Sequence, residues 1–477
     1  MSLGSLWEKI SELVWQGALL PCVVLGGIYF TVQTRGLQIT HFFHAIGQTL
    51  GRAFQKGEKG EGGVTPFQAL CTALAGTVGT GSIVGTCQAL SLGGPGAVFW
   101  LWIASFFGMI IKFFEVTLAV HYRRKGQNGE WLGGPMYYIL DGMGKRFKPL
   151  AALFALFALA ASVGMGNMAQ SNSIAFSVRS TVSALFNAEP RSWLEIAVAA
   201  VLVLLLCLFL FGGIRRLGQV TELLIPFASL FFVILSLYVL WSRRSALPSV
   251  LHLILSSAFS SRALLGASGG IAVRSAVVWG LKRSAFSNEA GLGSAAIAHA
   301  TAITDHPVRQ GFFGVFEVFA DTQVVCLVTA LSVLAAVPTE RIFSHSSPDS
   351  TLITEAFSRV FGEKFAVLFI GISLTLFAFS TLLGWSLYGS RCARFLFGAA
   401  ADGIYRFLFV CFAALGTCLS VKPIWELSDV LNALMAIPNF IALFCLSKQV
   451  VFLVRDYFLK EKSKKREGFQ KKNRKKV

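Results

Sequence analysis

Two stretches rich in glycine and hydroxyl residues interrupt apolar runs of helical length: AGTVGTGSIVG at 75–85 and AFSNEAGLGSAAIAHA at 285–300. A broken helix exposes unpaired N–H groups at one cut end and unpaired C=O groups at the other. The amides draw a carboxylate, reinforced by the helix dipole, and the carbonyls draw Na⁺ or an ammonium. Gly79, Gly81 and Gly85 permit the dihedrals and the close approach that a ligand needs, and Thr77, Thr80 and Ser82 add hydroxyl oxygens. Small residues four apart also let membrane helices touch, so Gly81 and Gly85 alone read equally as a packing seam. The cluster as a whole reads as a site. The second stretch offers Ser287, Asn288, Glu289, Gly291, Gly293 and Ser294. A carboxylate inside a span has a functional or paired role by default. Glu289 either braces the broken backbone, with Lys282 and Arg283 as candidate partners, or touches cargo or cation.

Other ionisable residues lie in apolar surroundings. Lys112 and Glu115, three apart on one helix face, are expected to pair with each other. Glu317 and Asp321 are like charges four apart, which reads either as a proton relay or as two groups paired to neighbouring helices. His299 and His306 lack companion metal ligands and read as hydrogen-bonded structure. In FAFSTLLGWSLYGSRC, Ser380 and Thr381 precede Gly384 and Trp385 by one turn. Hydroxyls commonly back-bond within a helix; beside a cation they become ligands, and Trp385 would wall off a cargo. The nine cysteines contain no CxxC and behave as small hydrophobes, so neither a disulfide framework nor a metal site follows.

The elements that must hold these groups are membrane spans. Of 477 residues 55% are hydrophobic and 14% charged, with a mean hydropathy of +0.65, too few polar groups to wet a soluble helical protein of this size. Eleven spans are expected: 12–31, 66–90, 96–121, 149–175, 193–212, 218–241, 271–300, 309–337, 364–390, 402–420 and 426–454. The glycine-broken spans are the second and seventh. They divide ten spans into two sets of five, and an odd number per half forces the halves into opposite orientations. The reading is an all-α polytopic protein: one transporter domain over 1–455, repeats at 66–241 and 271–454, one extra helix in front, and breaks at 75–85 and 285–294. The connection 242–270 contains LPSVLHLILSSAFSSRALL, an amphipathic helix lying at the surface. Residues 456–477 carry ten Lys or Arg against Asp456, Glu461 and Glu467, a cytoplasmic, lipid-facing tail rather than a nucleic-acid binder. That tail places Arg35, Arg52, Lys56, Lys59, Arg123, Arg124, Lys125, Arg215, Arg216, Arg391 and Arg394 inside. Arg179, Arg191, Arg243, Arg244 and Arg262 fall outside, as does the N-terminus. No HExxH, nucleophile elbow or cofactor fingerprint supports an enzyme, and no repeated filter sequence supports a channel.

At TVGTGSIVG, GGPGAVFWLW, GGPMYYI, GMGNMAQSNSIA, FSNEAGLGSAAIAHA, TDHPVRQG, FSTLLGW and LNALMAIPNFIAL the chain resembles the alanine or glycine:cation symporter family. The resemblance runs from about residue 64 to 450. It implies Na⁺-coupled (in some members H⁺-coupled) uptake of alanine or glycine, and the leucine-transporter-type fold of five plus five inverted helices. A proton-coupled carrier of another small zwitterion, or a passive channel, is the alternative. By the same resemblance the cargo carboxylate would meet amides around Gly79, Thr80 and Gly81, beside Ser82. Its ammonium would face Phe286, Ser287 and Asn288, with Gln170, Asn172 and Trp385 completing the pocket. Na⁺ would sit between carbonyls near Ala75 and Val78 and the hydroxyls of Ser380 and Thr381. The chain departs from the family pattern at Ser82, usually Asn, at Leu101, usually Met, and at Ala285, usually Gly. Leu for Met conserves volume, whereas the shorter Ser82 bears on cation coordination or cargo choice.

Overall fold

In hydrocarbon a backbone polar group must be paired within the protein, and this chain meets that demand with helices. A computed structural model describes residues 13–53, 62–127, 129–187, 193–259, 269–344, 350–419 and 422–474. Lys56, Lys59, Arg191 and Arg262, used above to orient the chain, lie outside the described residues, as do 475–477 of the basic tail. A π-helical turn at Trp15–Leu19 leads into α1 (Leu20–Gln33). The second span is two helices, α2 (Pro66–Thr77) and α3 (Thr80–Gly93), bent by 41°. Then come α4 (Gly96–His121), α5 (Lys148–Val163) and α6 (Ala169–Phe186), the last two joined by a π turn at Gly164–Met168. α7 (Trp193–Leu210), α8 (Gly213–Ser242) and α9 (Leu247–Phe259) complete the first half.

The second half opens with α10 (Gly269–Asn288) and α11 (Ser294–His299), one on each side of the second break. α12 (Pro307–Val318) passes through a π-helical stretch, Phe319–Cys326, into α13 (Leu327–Ala336). α14 (Thr351–Phe361), α15 (Glu363–Phe397), α16 (Ala401–Cys418), α17 (Lys422–Cys445) and α18 (Ser447–Arg474) follow. Eight helical segments among the described residues are long and apolar enough to cross a membrane, and two bent pairs bring the number to ten. α10 carries Arg274, Lys282 and Arg283 and is too polar to be counted with them; it is the remaining span of the expected eleven.

Burial separates the spans into an inner and an outer set. α4 and α15 each bury 67% of their apolar window, whereas α7 buries 17%. Ile196 and Leu204 on α7 and Leu223 and Phe227 on α8 therefore face lipid. α4 packs between α10 and α12, and α15 packs against α2, α5 and α6. The α2–α15 seam is close because both sides are small. A Cβ on Gly384 would lie 2.7 Å from the Gly76 nitrogen and 2.9 Å from its Cα, and Tyr388 reaches the Ala73 carbonyl at 3.4 Å. The expected surface helix is α9: Val250, Ile254 and Ala258 are buried, and Trp100 Nε1 donates to the Ala258 carbonyl at 3.2 Å.

Two spans differ from the sequence reading. The fourth does not end at 175 but runs on to Phe186. Its polar residues Asn172, Ser173 and Ser177 resemble a helix end only because they line a cavity, which removes the need for apolar side chains. The eleventh is not one straight helix over 426–454: the chain bends by 58° between Cys445 and Ser447, and α18 packs against α4 and α12. Val450, Leu453 and Tyr457 form its buried stripe, and Asp456 meets His306 at the start of α12.

Gly384→Val should force α15 off α2 and destabilise the protein by about 1–3 kcal/mol, the usual cost of overpacking. Gly403→Ala, where a Cβ has nothing within 4 Å, should leave stability unchanged or slightly raised. Thermal midpoints of the two variants in detergent check this, and equal midpoints would contradict the close seam.

Candidate functional site

The first break begins where the helical ladder stops. Val78 N bonds to the Leu74 carbonyl at 2.7 Å, and the next short-range bond is Ser82 N to the Gly79 carbonyl at 3.2 Å. The carbonyls of Ala75, Gly76 and Val78 and the amides of Gly79, Thr80 and Gly81 thus stand outside the ladder. These amides form the N-terminus of α3, where an anion is favoured. Thr80 and Gly81 line a cavity of about 330 Å³ with Val84, Gly85, Asn172, Phe176, Arg283, Phe286, Leu374 and Asp429. Thr80 Oγ1 donates to Gln170 Oε1 at 3.0 Å, fixing the buried glutamine immediately behind the wall.

Of the ten residues expected around the cargo, Thr80, Gly81, Asn172 and Phe286 line this cavity and Gln170 supports it. The other five face elsewhere. Ser82 and Ser287 turn their hydroxyls to Asp321, at 2.5 and 2.7 Å. Asn288 donates to Ser284 and Thr322, and accepts the Ala290 amide at 3.0 Å. Trp385 is fully buried, its Nε1 donating to Glu289 Oε1 at 3.0 Å. Gly79 lies against Thr381: a Cβ there would collide with Thr381 Oγ1. Its φ of −131° is open to any residue, so space rather than dihedral demands glycine at this position.

The residues expected as cation ligands are Ala75 and Val78 at the first break and Ser380 and Thr381 on α15. Ser380 and Thr381 both donate to the Phe377 carbonyl, at 2.7 and 3.0 Å, which leaves their lone pairs free. Thr381 Oγ1 faces Gly79, within the break whose Ala75 and Val78 carbonyls have lost their helical partners. The donor set is all oxygen, suited to a hard cation.

The second break is closed by side chains. Glu289 has φ 53°, bonds Ser294 across the gap and accepts from Trp385, so it braces the break as one of the two readings held. Lys282 and Arg283 are not its partners. Lys282 pairs with Asp429 at 3.0 Å, and Arg283 lies over the rings of Trp279 and Phe286; both precede the helix end, whereas Glu289 is turned away beyond it. Lys112 does not pair with Glu115 either. Glu115 is taken by the Gly291 amide at 2.9 Å and Asn439 at 2.6 Å, which leaves Lys112 to Glu317 at 3.5 Å. His299 joins that pair at 2.9 Å and completes its hydrogen bonds with Gln310, as structure rather than metal ligand. The expectations missed Phe176 and Ser177 as cavity wall. Their spacing of four from Asn172 and Ser173 on one helix face was the available signal.

The family model described as the Sodium:alanine symporter family matches residues 2–471. The sodium/alanine symporter AgcS of Methanococcus maripaludis is 38% identical over 455 residues, 94% of this chain and 96% of its own. The probable sodium/glutamine symporter GlnT of Bacillus subtilis is 33% identical over 465 residues, 97% and 92% of the two chains. The crystal structure of MhsT in complex with L-phenylalanine superposes with a TM-score of 0.60 at 12% identity, covering 81% of this chain and 90% of that one. It shares the fold, the leucine-transporter type expected above.

The geometry separates two neighbouring glycines. Gly79→Ala should displace Thr381 and weaken Na⁺-induced thermal stabilisation about tenfold in half-saturating concentration, about 1.4 kcal/mol. Gly81→Ala, whose Cβ would make an ordinary 3.5 Å contact with Phe286, should keep the Na⁺ response and lose affinity for the amino acid. Identical titration curves for both variants would contradict the division.

Proposed function

From the chain's membership of the sodium:alanine symporter family, which makes it a secondary amino-acid transporter and not an enzyme, we propose that it imports a small neutral amino acid, alanine or glycine, with Na⁺. One observation carries the cation assignment: Thr381 abuts Gly79, two residues from Gly81 in the cavity wall. A cation held between Thr381, Ser380 and the carbonyls of Ala75 and Val78 fixes the same segment, 75–81, whose amides receive the cargo carboxylate. Each ligand then orders the peptide that the other needs, and shared ordering is positive coupling.

Selection by size falls to Phe286, Phe176, Val84 and Leu374, the apolar lining of the cavity. Trp385 acts at one remove, by holding Glu289. The relatives differ in their named cargo, alanine for one and glutamine for another. The polar lining at Asn172, Arg283 and Asp429 supports a zwitterion. The proposed topology keeps the N-terminus outside and the basic tail in the cytoplasm. Repeats at 66–241 and 271–454 then follow, and the cavity, which Ser350 also lines, faces out.

Uptake of labelled alanine into proteoliposomes should require an inward Na⁺ gradient. Thr381→Ala should raise the Na⁺ concentration for half-maximal uptake about tenfold while the protein still binds alanine at saturating Na⁺. Uptake indifferent to Na⁺ but driven by a pH gradient would replace the coupling ion with a proton. Glutamine outcompeting alanine would reassign the cargo.

A further inference from the structure

Far from the cargo cavity, a second and smaller crevice opens where four spans end together. Leu210 closes α7, Gly213 and Ile214 open α8, Ser390 and Arg391 come from α15, and Arg406 comes from α16. α7 packs on α16 and α8 on α15, so the crevice sits at the junction of two helix pairs. Arg391 lies about 25 Å along α15 from Leu374 in the cavity wall, at about 1.5 Å per residue.

The charges around it do not balance. Only 4% of the Arg391 side chain is exposed, yet its Nε has no hydrogen-bond partner, an arrangement that costs free energy in a buried cation. Its carboxylate, Glu130 at 3.3 Å, must also hold Arg394. Asp402 is committed to Arg406 at 2.7 Å and to Ser390. The crevice also meets the first amides of α8, where the helix dipole favours an anion. α16 begins with such an anion, Asp402. The first turn of α8 has no acidic residue and continues into Arg215 and Arg216, both exposed. Arg216 lies 5.9 Å from the Phe209 ring. Cations at that end oppose the dipole, and an anion on the amides would satisfy both.

We propose that this crevice binds the phosphate of an anionic phospholipid, with Arg391 Nε and the first amides of α8 as its donors and Arg215, Arg216 and Arg406 as the surrounding charge. The crevice holds about 20 Å³, room for one oxygen, so the phosphorus and the glycerol stay at its mouth. The lipid is favoured over free phosphate by what adjoins these donors in the chain. Phe211, Phe397 and Phe407 are large, apolar and exposed, and contact acyl chains. Basic pockets between spans recognise lipid headgroups by the same combination of guanidinium groups and apolar rim. The bound lipid ties the α7–α8 turn to α15 and α16. That tie matters most for α7, which buries only 17% of its apolar window.

The test titrates the purified full-length protein in neutral detergent with short-chain phosphatidylglycerol, with phosphatidylcholine of the same chains, and with inorganic phosphate. Thermal midpoints and native mass spectrometry report binding. Phosphatidylglycerol should raise the midpoint saturably and stay bound as a single copy, and the other two should do neither. Arg391→Gln should abolish the response. That change also releases Glu130, so Arg215→Gln and Arg216→Gln, at exposed positions, give a second reading should it fail to fold. Each should raise the half-saturating lipid concentration about fivefold, the effect of one basic charge near a headgroup. Phosphatidylcholine acting as strongly as phosphatidylglycerol overturns the site, as do variants that titrate like the unmodified protein. Inorganic phosphate acting as strongly as phosphatidylglycerol assigns the crevice to a soluble anion and overturns the lipid.

Discussion

The seventh span can be broken because one buried carboxylate accepts a backbone amide that lipid could never satisfy. Glu115 on α4 takes the Gly291 N–H, and Asn439 on α17 bonds both to Glu115 and, at 2.8 Å, to the Gly291 carbonyl. A bare amide and carbonyl in hydrocarbon would cost several kcal/mol. Two other spans lend polar groups to prevent it, and Tyr138 in turn bonds Asn439. With the break anchored there, Glu289 and Trp385 can hold its far lip, and α10 can end with Phe286 at the cavity and Ser287 at Asp321.

The two breaks are consequently unequal. Around the first, Thr80 and Gly81 line a cavity; around the second, Glu115, Asn439, Ser294 and Trp385 bond across or against the gap. The seal continues to one end of the molecule. Arg123 donates to the Ala300 carbonyl at 3.0 Å and to that of Ala302, stacks 4.1 Å from the Trp131 ring, and sits beside the bridge that joins Val64 to Ala302. Glu130 holds Arg391 and Arg394 at the foot of α15. One side is open and the other is locked by ionic contacts, an arrangement that alternating access requires of any single state.

Much of this was legible in the residues. Glycine and hydroxyl clusters locate both breaks because only there does a hydrophobic span tolerate them, and the five-span spacing between the breaks gives the fold. Thr381 was recognisable for the same reason as a hydroxyl that faces the first break. Partner choice was not legible. Lys112 has Glu115 three residues away, yet its partner is on α12, since the nearer carboxylate is claimed by a backbone amide whose position depends on the tertiary fold. The length of the fourth span was misread because polarity marks water, and water lies inside the protein there as well as beyond the membrane. Trp385 shares a helix with Ser380 and Thr381, but which of its neighbours it touches depends on how far the π turn at Gly164–Met168 lets α15 approach.

That same fourth span measures the protein's depth in the bilayer. From Lys148 to Arg179 the helix is about 47 Å long at about 1.5 Å per residue, close to the ~40–45 Å between opposite headgroup layers. Its two charged ends are thus matched to the two interfaces. Asn172 lies only about 10 Å along the axis from the Arg179 end. Thr80 and Gly81, which also line the cavity, lie about 18 Å from the Gly93 end of α3, so the cavity reaches to about the middle of the second span and the sealed network occupies the remaining depth. An electric field across the membrane falls mainly over the dry portion. A charge at the floor of the cavity therefore still has the sealed half of that depth, and most of the field, ahead of it.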